Sequence, residues 1–260
     1  LRGSQGLSFV IGPALGSLFS LLSLRTPFIV DGVLSLGAFW AAFALLKDTG
    51  RATSEHHLGF LCALKDTFSG RRVYLYLLMG IAGSFAYGIL SSYVPAKSQL
   101  AGLAAWQIGL IVSGGALAFS AVSYVIGPLS DRLGRRTFVI VAQPVIVAAG
   151  VGLAFSRSLA SLAAFYWLFC VGETVTYLLC FVYASELFEP EHIGASMGAF
   201  DSLLDLSLFL GPAAAIALHR STGVMAPAFL VAVAPAAVAF FALAAWLPPD
   251  LRRMPARAHR

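Results

Sequence analysis

The sequence predicts an all-α integral membrane protein with eight transmembrane helices. Four observations point there. Hydrophobic residues make up 59% of the 260 positions and charged residues only 11%, where a soluble domain carries about 25% charged residues. Mean hydropathy is +0.85, and no soluble fold of this length has interior enough for so much apolar surface. The apolar residues also fall into runs near the length of about 20 residues that crosses a bilayer. Lys and Arg, finally, collect in alternate connectors, as they do beside membranes.

The eight runs extend from Leu7 to Ser23, Pro27 to Leu46, Val73 to Val94, Gln107 to Leu129, Phe138 to Phe155, Leu159 to Ser185, Gly194 to Leu218 and Met225 to Leu247. The first is the shortest. Most connectors are short, which makes sequential helices neighbours across a turn. The exception runs from Lys47 to Arg72. Within it Leu58, Leu61, Leu64 and Phe68 recur at helical spacing, which suggests an amphipathic helix on the membrane surface; a linker with scattered leucines is the alternative.

With eight spans the connectors alternate sides. Thirteen Lys and Arg residues fall on one side, in both terminal segments, the long connector and the stretch Arg132 to Arg136. Four fall on the other: Arg25, Lys97, Arg157 and Arg220. The positive side is the cytoplasmic one, so both termini are expected in the cytoplasm. The abundance of Ala, and of Arg over Lys, fits a bacterium and hence its inner membrane.

Several function classes are excluded. The net charge of +5 does not indicate nucleic acid, because the basic residues sit between apolar runs. Cys62, Cys170 and Cys180 form no disulfide framework: ten residues along one helix would hold Cys170 and Cys180 about 15 Å apart. The chain contains no Asn and so no N-glycosylation acceptor. It starts at Leu1 without a basic leader segment, so no signal peptide is expected. No P-loop, HExxH or paired-Cys spacing is present. His56 and His57 are adjacent in a connector and read as solvated. No enzyme, metal or nucleotide cofactor is expected.

Two short stretches echo one another. Residues 8–17 read SFVIGPALGS and residues 207–216 read SLFLGPAAAI. Each has Ser four positions before a Gly-Pro pair. Pro favours a helix kink, and small residues let helices approach closely. Gly12, Pro13, Gly16, Gly211 and Pro212 are therefore candidate kink and packing positions, and the pair suggests a duplicated unit.

The charges in GPLSDRLGRR, residues 127–136, interrupt an otherwise apolar stretch. This segment closely resembles the signature loop of the major facilitator superfamily, G-x-L-x-D-R-x-G-R-R. Gly127, Leu129, Asp131, Arg132, Gly134, Arg135 and Arg136 match without a gap. SFVIGPALGS resembles that family's antiporter motif at Gly12, Pro13 and Gly16, with Ser8 and Ser17 in place of glycines. SELFEPEHIG, residues 185–194, resembles the turn after the family's helix 10, with Ile193 where an Arg is frequent. The resemblance covers nearly the whole chain and places the eight spans as helices 5–12 of twelve. Residues 1–47 would be the last two helices of the N-terminal half, 48–72 the inter-half connector, 73–248 the six-helix C-terminal half and 249–260 a basic cytoplasmic tail. Helices 1–4 would be a partner missing from this segment.

The resemblance implies that the loop is a conformational latch. In it, Asp131 could accept from backbone N–H groups at a neighbouring helix start. Arg132, Arg135 and Arg136 could reach lipid phosphates or Glu186, Glu189 and Glu191. Gly127 and Gly134 complete the motif, Gly134 allowing a tight turn.

Carboxylates inside a span cost about 2.5 to 3.5 kcal/mol each on insertion scales and need a reason. Glu173, Asp205 and Asp201 are the candidates for binding protons or substrate. Asp31, near the end of its span, is a lesser one with helix capping as its alternative. Polar stripes support a wet path: Ser84, Tyr87 and Ser91; Ser113, Ser120 and Tyr124; and Glu173, Thr176, Tyr177, Cys180 and Tyr183. They fall on helices that correspond to 7, 8 and 10 of the family. The fifth and eighth spans lack such a stripe and read as peripheral. The expected function is secondary transport of a small organic solute by alternating access, driven by a proton gradient, with drug:proton export favoured. Proton-linked metabolite uptake and a truncated, non-transporting membrane protein are the alternatives.

Overall fold

The computed structural model describes residues 11–12, 15–16, 18–19, 22–23, 25–45, 71–188 and 193–247. Every regular element among them is an α-helix, and seven helices are long and apolar enough to cross a membrane. These are α1 (Thr26–Leu45), α2 (Arg71–Leu100), α3 (Ala105–Leu133), α4 (Arg135–Phe155), α5 (Leu159–Leu187), α6 (Ile193–Thr222) and α7 (Ala226–Trp246). They are the second to eighth expected spans. The first falls largely outside the described residues, although residues 11, 12, 15, 16, 18 and 19 are helical. Residues 47–70 of the long connector, with its expected amphipathic helix, the basic tail and Pro13 lie outside them, while the connector's last two residues, Arg71 and Arg72, open α2.

The helices overrun the apolar runs at their polar ends. α2 continues through Pro95 to Leu100, and α3 continues through Asp131 and Arg132 to Leu133. Hydropathy stops at the membrane boundary, but the backbone ladder need not. The expected loop around residues 131–136 is thereby reduced to one residue. Gly134 has φ 99° and ψ 122°, a conformation that costs little without a Cβ, and its N–H still reaches Ser130 O at 2.9 Å. α4 begins at the next residue.

Other ends are closed by side chains. Gln107 Oε1 accepts from Ala104 N–H at 2.8 Å where α3 begins. Ser158 and Ser161 accept from each other's backbone N–H, both at 3.2 Å, at the start of α5. The C-terminus of α4 is held from another helix: Lys97 Nζ donates to Leu153 O at 2.6 Å and to Ala154 O at 2.8 Å, and sits 4.9 Å from the centroid of the Phe229 ring. At this helix end Leu153 O otherwise accepts only from the N–H of the cap residue Ser156, at 3.3 Å, and the last carbonyls of a helix lack i+4 donors, so Lys97 is a cross-helix cap.

α2 to α7 form one bundle with a repeated contact pattern. α2 packs on α6 as α5 packs on α3; α4 packs on α5 as α7 packs on α2; α2 meets α5, and α4 meets α7. The helices α2–α3–α4 thus correspond to α5–α6–α7. Three spans is an odd number, so the second set enters the membrane from the opposite face and the repeat is inverted. Among the described residues α1 buries none of its side chains.

In lipid, helix association depends on close packing rather than on burial of apolar surface from water. The α2–α6 contact shows this. A Cβ at Gly211 would lie 2.6 Å from Phe85 O, and one at Gly88 would run into Leu208 O. Two glycines on facing helices therefore bring the backbones together, with Pro212 alongside Gly88. In the matching α3–α5 contact, Gly114 and Gly115 leave room for the Trp167 and Tyr166 rings, and Trp167 Nε1 donates to Ile111 O at 2.9 Å. Gly211 is a packing residue as expected. Gly12 and Gly16, in the echo of this motif, face open space among the described residues.

Gly211→Ala is expected to force α2 and α6 apart and destabilise the chain by about 1–3 kcal/mol, the usual range for overpacking. Gly198→Ala, where an added Cβ meets nothing within 4 Å, should be tolerated. Thermal unfolding of both variants in detergent separates the two outcomes.

Candidate functional site

At the end of the bundle formed by the α3–α4 turn, Arg135 ties three helices together. Its Nε and Nη2 donate to Asp131 Oδ1 at 3.0 and 2.9 Å, one turn back on α3. Its Nη1 donates to Glu186 Oε1 at the end of α5. One guanidinium fork so serves two carboxylates. The expected Arg–Glu186 contact is present, while Glu189 and Glu191 lie outside the described residues. For Asp131 the expectation needs correcting. Its donor is the Arg135 side chain and not a backbone N–H, because α3 stays helical through residue 131 and brings Arg135 within reach. Arg136 takes a separate role and donates from Nη2 to Ala244 O at 3.4 Å, near the end of α7. Arg132 and Gly127 are exposed.

Above this network lies a cavity of about 450 Å³, lined by Asp131, Arg135, Ser120, Ser123, Tyr124, Tyr177 and Asp201 among others. A second cavity of about 270 Å³ adjoins it and shares Phe119 and Tyr177. Its walls come from four helices: Ser84 and Tyr87 of α2; Gly115 and Phe119 of α3; Tyr166, Cys170, Glu173 and Tyr177 of α5; Asp205 and Leu208 of α6. No residue of α4 or α7 lines it. Asp201 and Asp205 sit one turn apart on α6, and each reaches a different cavity.

Glu173 is the decisive side chain. It is 5% exposed, lines the deeper cavity, and its carboxyl takes part in no hydrogen bond among the described residues. Asp205 lines the same cavity from the opposite helix and is exposed on its open side. The predicted set Glu173, Asp205, Tyr87 and Tyr177 is therefore assembled at one place. Asp201 lies one turn away in the outer cavity. Asp31 is exposed on α1, well inside that helix, so its position does not fit the capping alternative.

The stripes divide. Ser84 and Tyr87 line the deeper cavity, and Ser120 and Tyr124 the outer one. Ser91 donates to Gly88 O at 3.2 Å. Tyr183 stacks on Tyr76 with centroids 4.6 Å apart. Thr176 donates to Gly172 O and accepts from Gln143 Nε2, both at 3.0 Å. Thr176 therefore turns toward α4, where the sequence showed no polar stripe. Gln143 is fully buried there, and its Oε1 has no donor among the described residues. Tyr166 and Cys170 were missed as lining residues. The signal was available: residues 166, 170, 173 and 177 recur at helical spacing, and the α5 stripe begins two turns before Glu173.

The sequence profile of the Major Facilitator Superfamily matches residues 1–212 and, in a second overlapping match, 102–260. The chain belongs to the Major Facilitator Superfamily. It is 31% identical over 145 residues to the uncharacterized MFS-type transporter YfkF of Bacillus subtilis (strain 168), an alignment that covers 53% of this chain and 35% of that protein. The matched segment thus spans about a third of the relative's length. As a member of this superfamily the chain is a membrane transporter protein. Three of the four helices around its deeper cavity, α2, α3 and α5, are those that the resemblance matches to helices 7, 8 and 10 of the family.

The Arg135 network is partly exposed, with 25% of the Arg135 side chain accessible against 47% for Asp131 and 40% for Glu186. Such pairs contribute about 0.2–1 kcal/mol. In a double-mutant cycle of Arg135→Gln and Glu186→Gln, thermal unfolding should show a coupling energy of that size. Strictly additive losses would mean that the bridge is not populated.

Proposed function

We propose that this chain carries the C-terminal path of a secondary active transporter that moves a small organic solute by alternating access, coupled to proton movement and directed outward. One observation supports this most: a carboxyl that is almost wholly buried, without a hydrogen-bond partner among the described residues, faces a cavity built by four helices. An uncompensated charge in such a place is costly. Neutralising it with a proton in one state and with another ligand in the next is a coupling device.

The remaining parts fit the same cycle. Arg135, held by Asp131 and Glu186, acts as the latch of one conformation and lets go in the other; Gly127, Arg132, Gly134 and Arg136 complete that loop. Asp201 and Asp205 carry protons or substrate between the outer cavity and Glu173. The Lys and Arg distribution supports a cytoplasmic latch and cytoplasmic ends for this segment, and the abundance of Ala and of Arg over Lys supports a bacterial inner membrane. The family's other helices would cover the open side of the cavities and the unburied α1.

In everted vesicles holding the full-length transporter, a stored proton gradient read by a pH-sensitive dye should collapse on addition of a transported solute. Glu173→Gln should abolish this response and leave the protein inserted. Flux unchanged by that substitution would remove Glu173 from the coupling step, and proton uptake with the solute would reverse the direction proposed.

A further inference from the structure

The deeper cavity also carries information about charge and shape. Two carboxylates reach it from different helices, Glu173 on α5 and Asp205 on α6, and none of its lining residues among those described is basic. Among the described residues the one basic side chain of the outer cavity, Arg135, is already committed to Asp131 and Glu186. Three tyrosines, Tyr87, Tyr166 and Tyr177, and Phe119 supply the aromatic wall. Tyr87 and Tyr166 each stack against Phe169, with centroids 6.5 and 6.4 Å apart, which fixes the orientation of their rings.

Aromatic faces attract cations through their quadrupole, most strongly where water is excluded. A buried carboxylate with no donor of its own needs a positive partner. An anion would meet two negative side chains and, among the described residues, no compensating base. A neutral solute would leave Glu173 uncompensated. The volume of about 270 Å³ is near the lower end of small-molecule sites, about 300 Å³, and so favours a compact body. Gly115 sets part of that limit, since a Cβ there would lie 2.7 Å from the Tyr166 ring and 2.9 Å from Cys170 Sγ.

We infer that this cavity is a binding site for a compact organic cation, a substituted or protonated amine with an aromatic or bulky apolar body, its charge on Glu173 and its body against the tyrosines. Asp205 is the second anionic contact, and Asp201 draws the cation inward from the outer cavity. This assignment rests on the transport reading for its purpose, but the site itself is testable without transport.

The probes are radiolabelled benzyltrimethylammonium and phenylmethanesulfonate, similar in size and opposite in charge, in equilibrium binding to the purified full-length protein in detergent. The ammonium should bind and the sulfonate should not. Glu173→Gln should weaken ammonium binding at least tenfold, Glu173→Asp should restore most of it, and Asp205→Asn should cost several-fold. Thermal unfolding of each variant confirms that it is folded. Equal binding of both probes overturns the assignment. So does ammonium affinity unchanged in folded Glu173→Gln and Asp205→Asn proteins, or absent from a folded wild-type protein. Ammonium binding without any solute-driven proton flux would sink the transport reading and support the site. Flux of another solute by a protein that does not bind the ammonium would sink the site and support the transport reading.

Discussion

A charge inside a bilayer must be brought to the edge, given a partner or placed against water. The described part of this chain uses all three solutions, and its architecture follows from where each is used. Arg132 sits exposed at the end of α3. Lys97 and Arg135 are given partners from other helices: two carbonyls at the end of α4 for the one, and carboxylates on α3 and α5 for the other. Glu173 has neither an edge nor a partner, and the helices around it separate to leave a cavity. The apolar helices supply the container, and the few charges determine where it is closed and where it is open.

The container is shaped by its smallest residues. Gly88 and Gly211 let α2 and α6 touch backbone to backbone, whereas Gly114 and Gly115 of α3 make room for rings of α5. The two contacts occupy equivalent positions in the inverted repeat, yet one is tight and the other is filled by aromatic side chains. That asymmetry places the deeper cavity next to α5, where Tyr166, Cys170, Glu173 and Tyr177 form one face. α4 and α7 contribute packing instead, consistent with their low polarity; Gln143, buried against Thr176, is the exception.

Much of this was legible in the sequence, for identifiable reasons. Spans two to eight follow from apolar runs alone, because lipid offers the backbone no alternative to a helix. Their ends were placed too early at Val94 and Leu129, since hydropathy falls where charges start while helical hydrogen bonds persist. The pairing of Arg135 with Glu186 followed from their lying on the same side. The donor to Asp131 did not, because it depends on α3 remaining helical up to Gly134. Glu173 and Asp205 announced themselves as carboxylates in apolar runs. Tyr166 and Cys170 looked like ordinary membrane-helix residues, and Thr176 looked like a cavity residue until its partner on α4 was known. The role of Lys97 was invisible, because a helix C-terminus has no sequence mark on its partner.

The account stands on a water-filled path between α2, α3, α5 and α6, as opposed to a dry bundle with a stray carboxylate. The most direct measurement is the rate at which single cysteines react with a membrane-impermeant methanethiosulfonate in nanodiscs, after replacement of Cys62, Cys170 and Cys180. Ala116→Cys and Leu208→Cys line the deeper cavity, while Val141→Cys and Phe241→Cys lie on the exposed outer faces of α4 and α7. A path filled with water predicts that the first pair reacts at least tenfold faster than the second. Equally slow labelling at all four positions would contradict it.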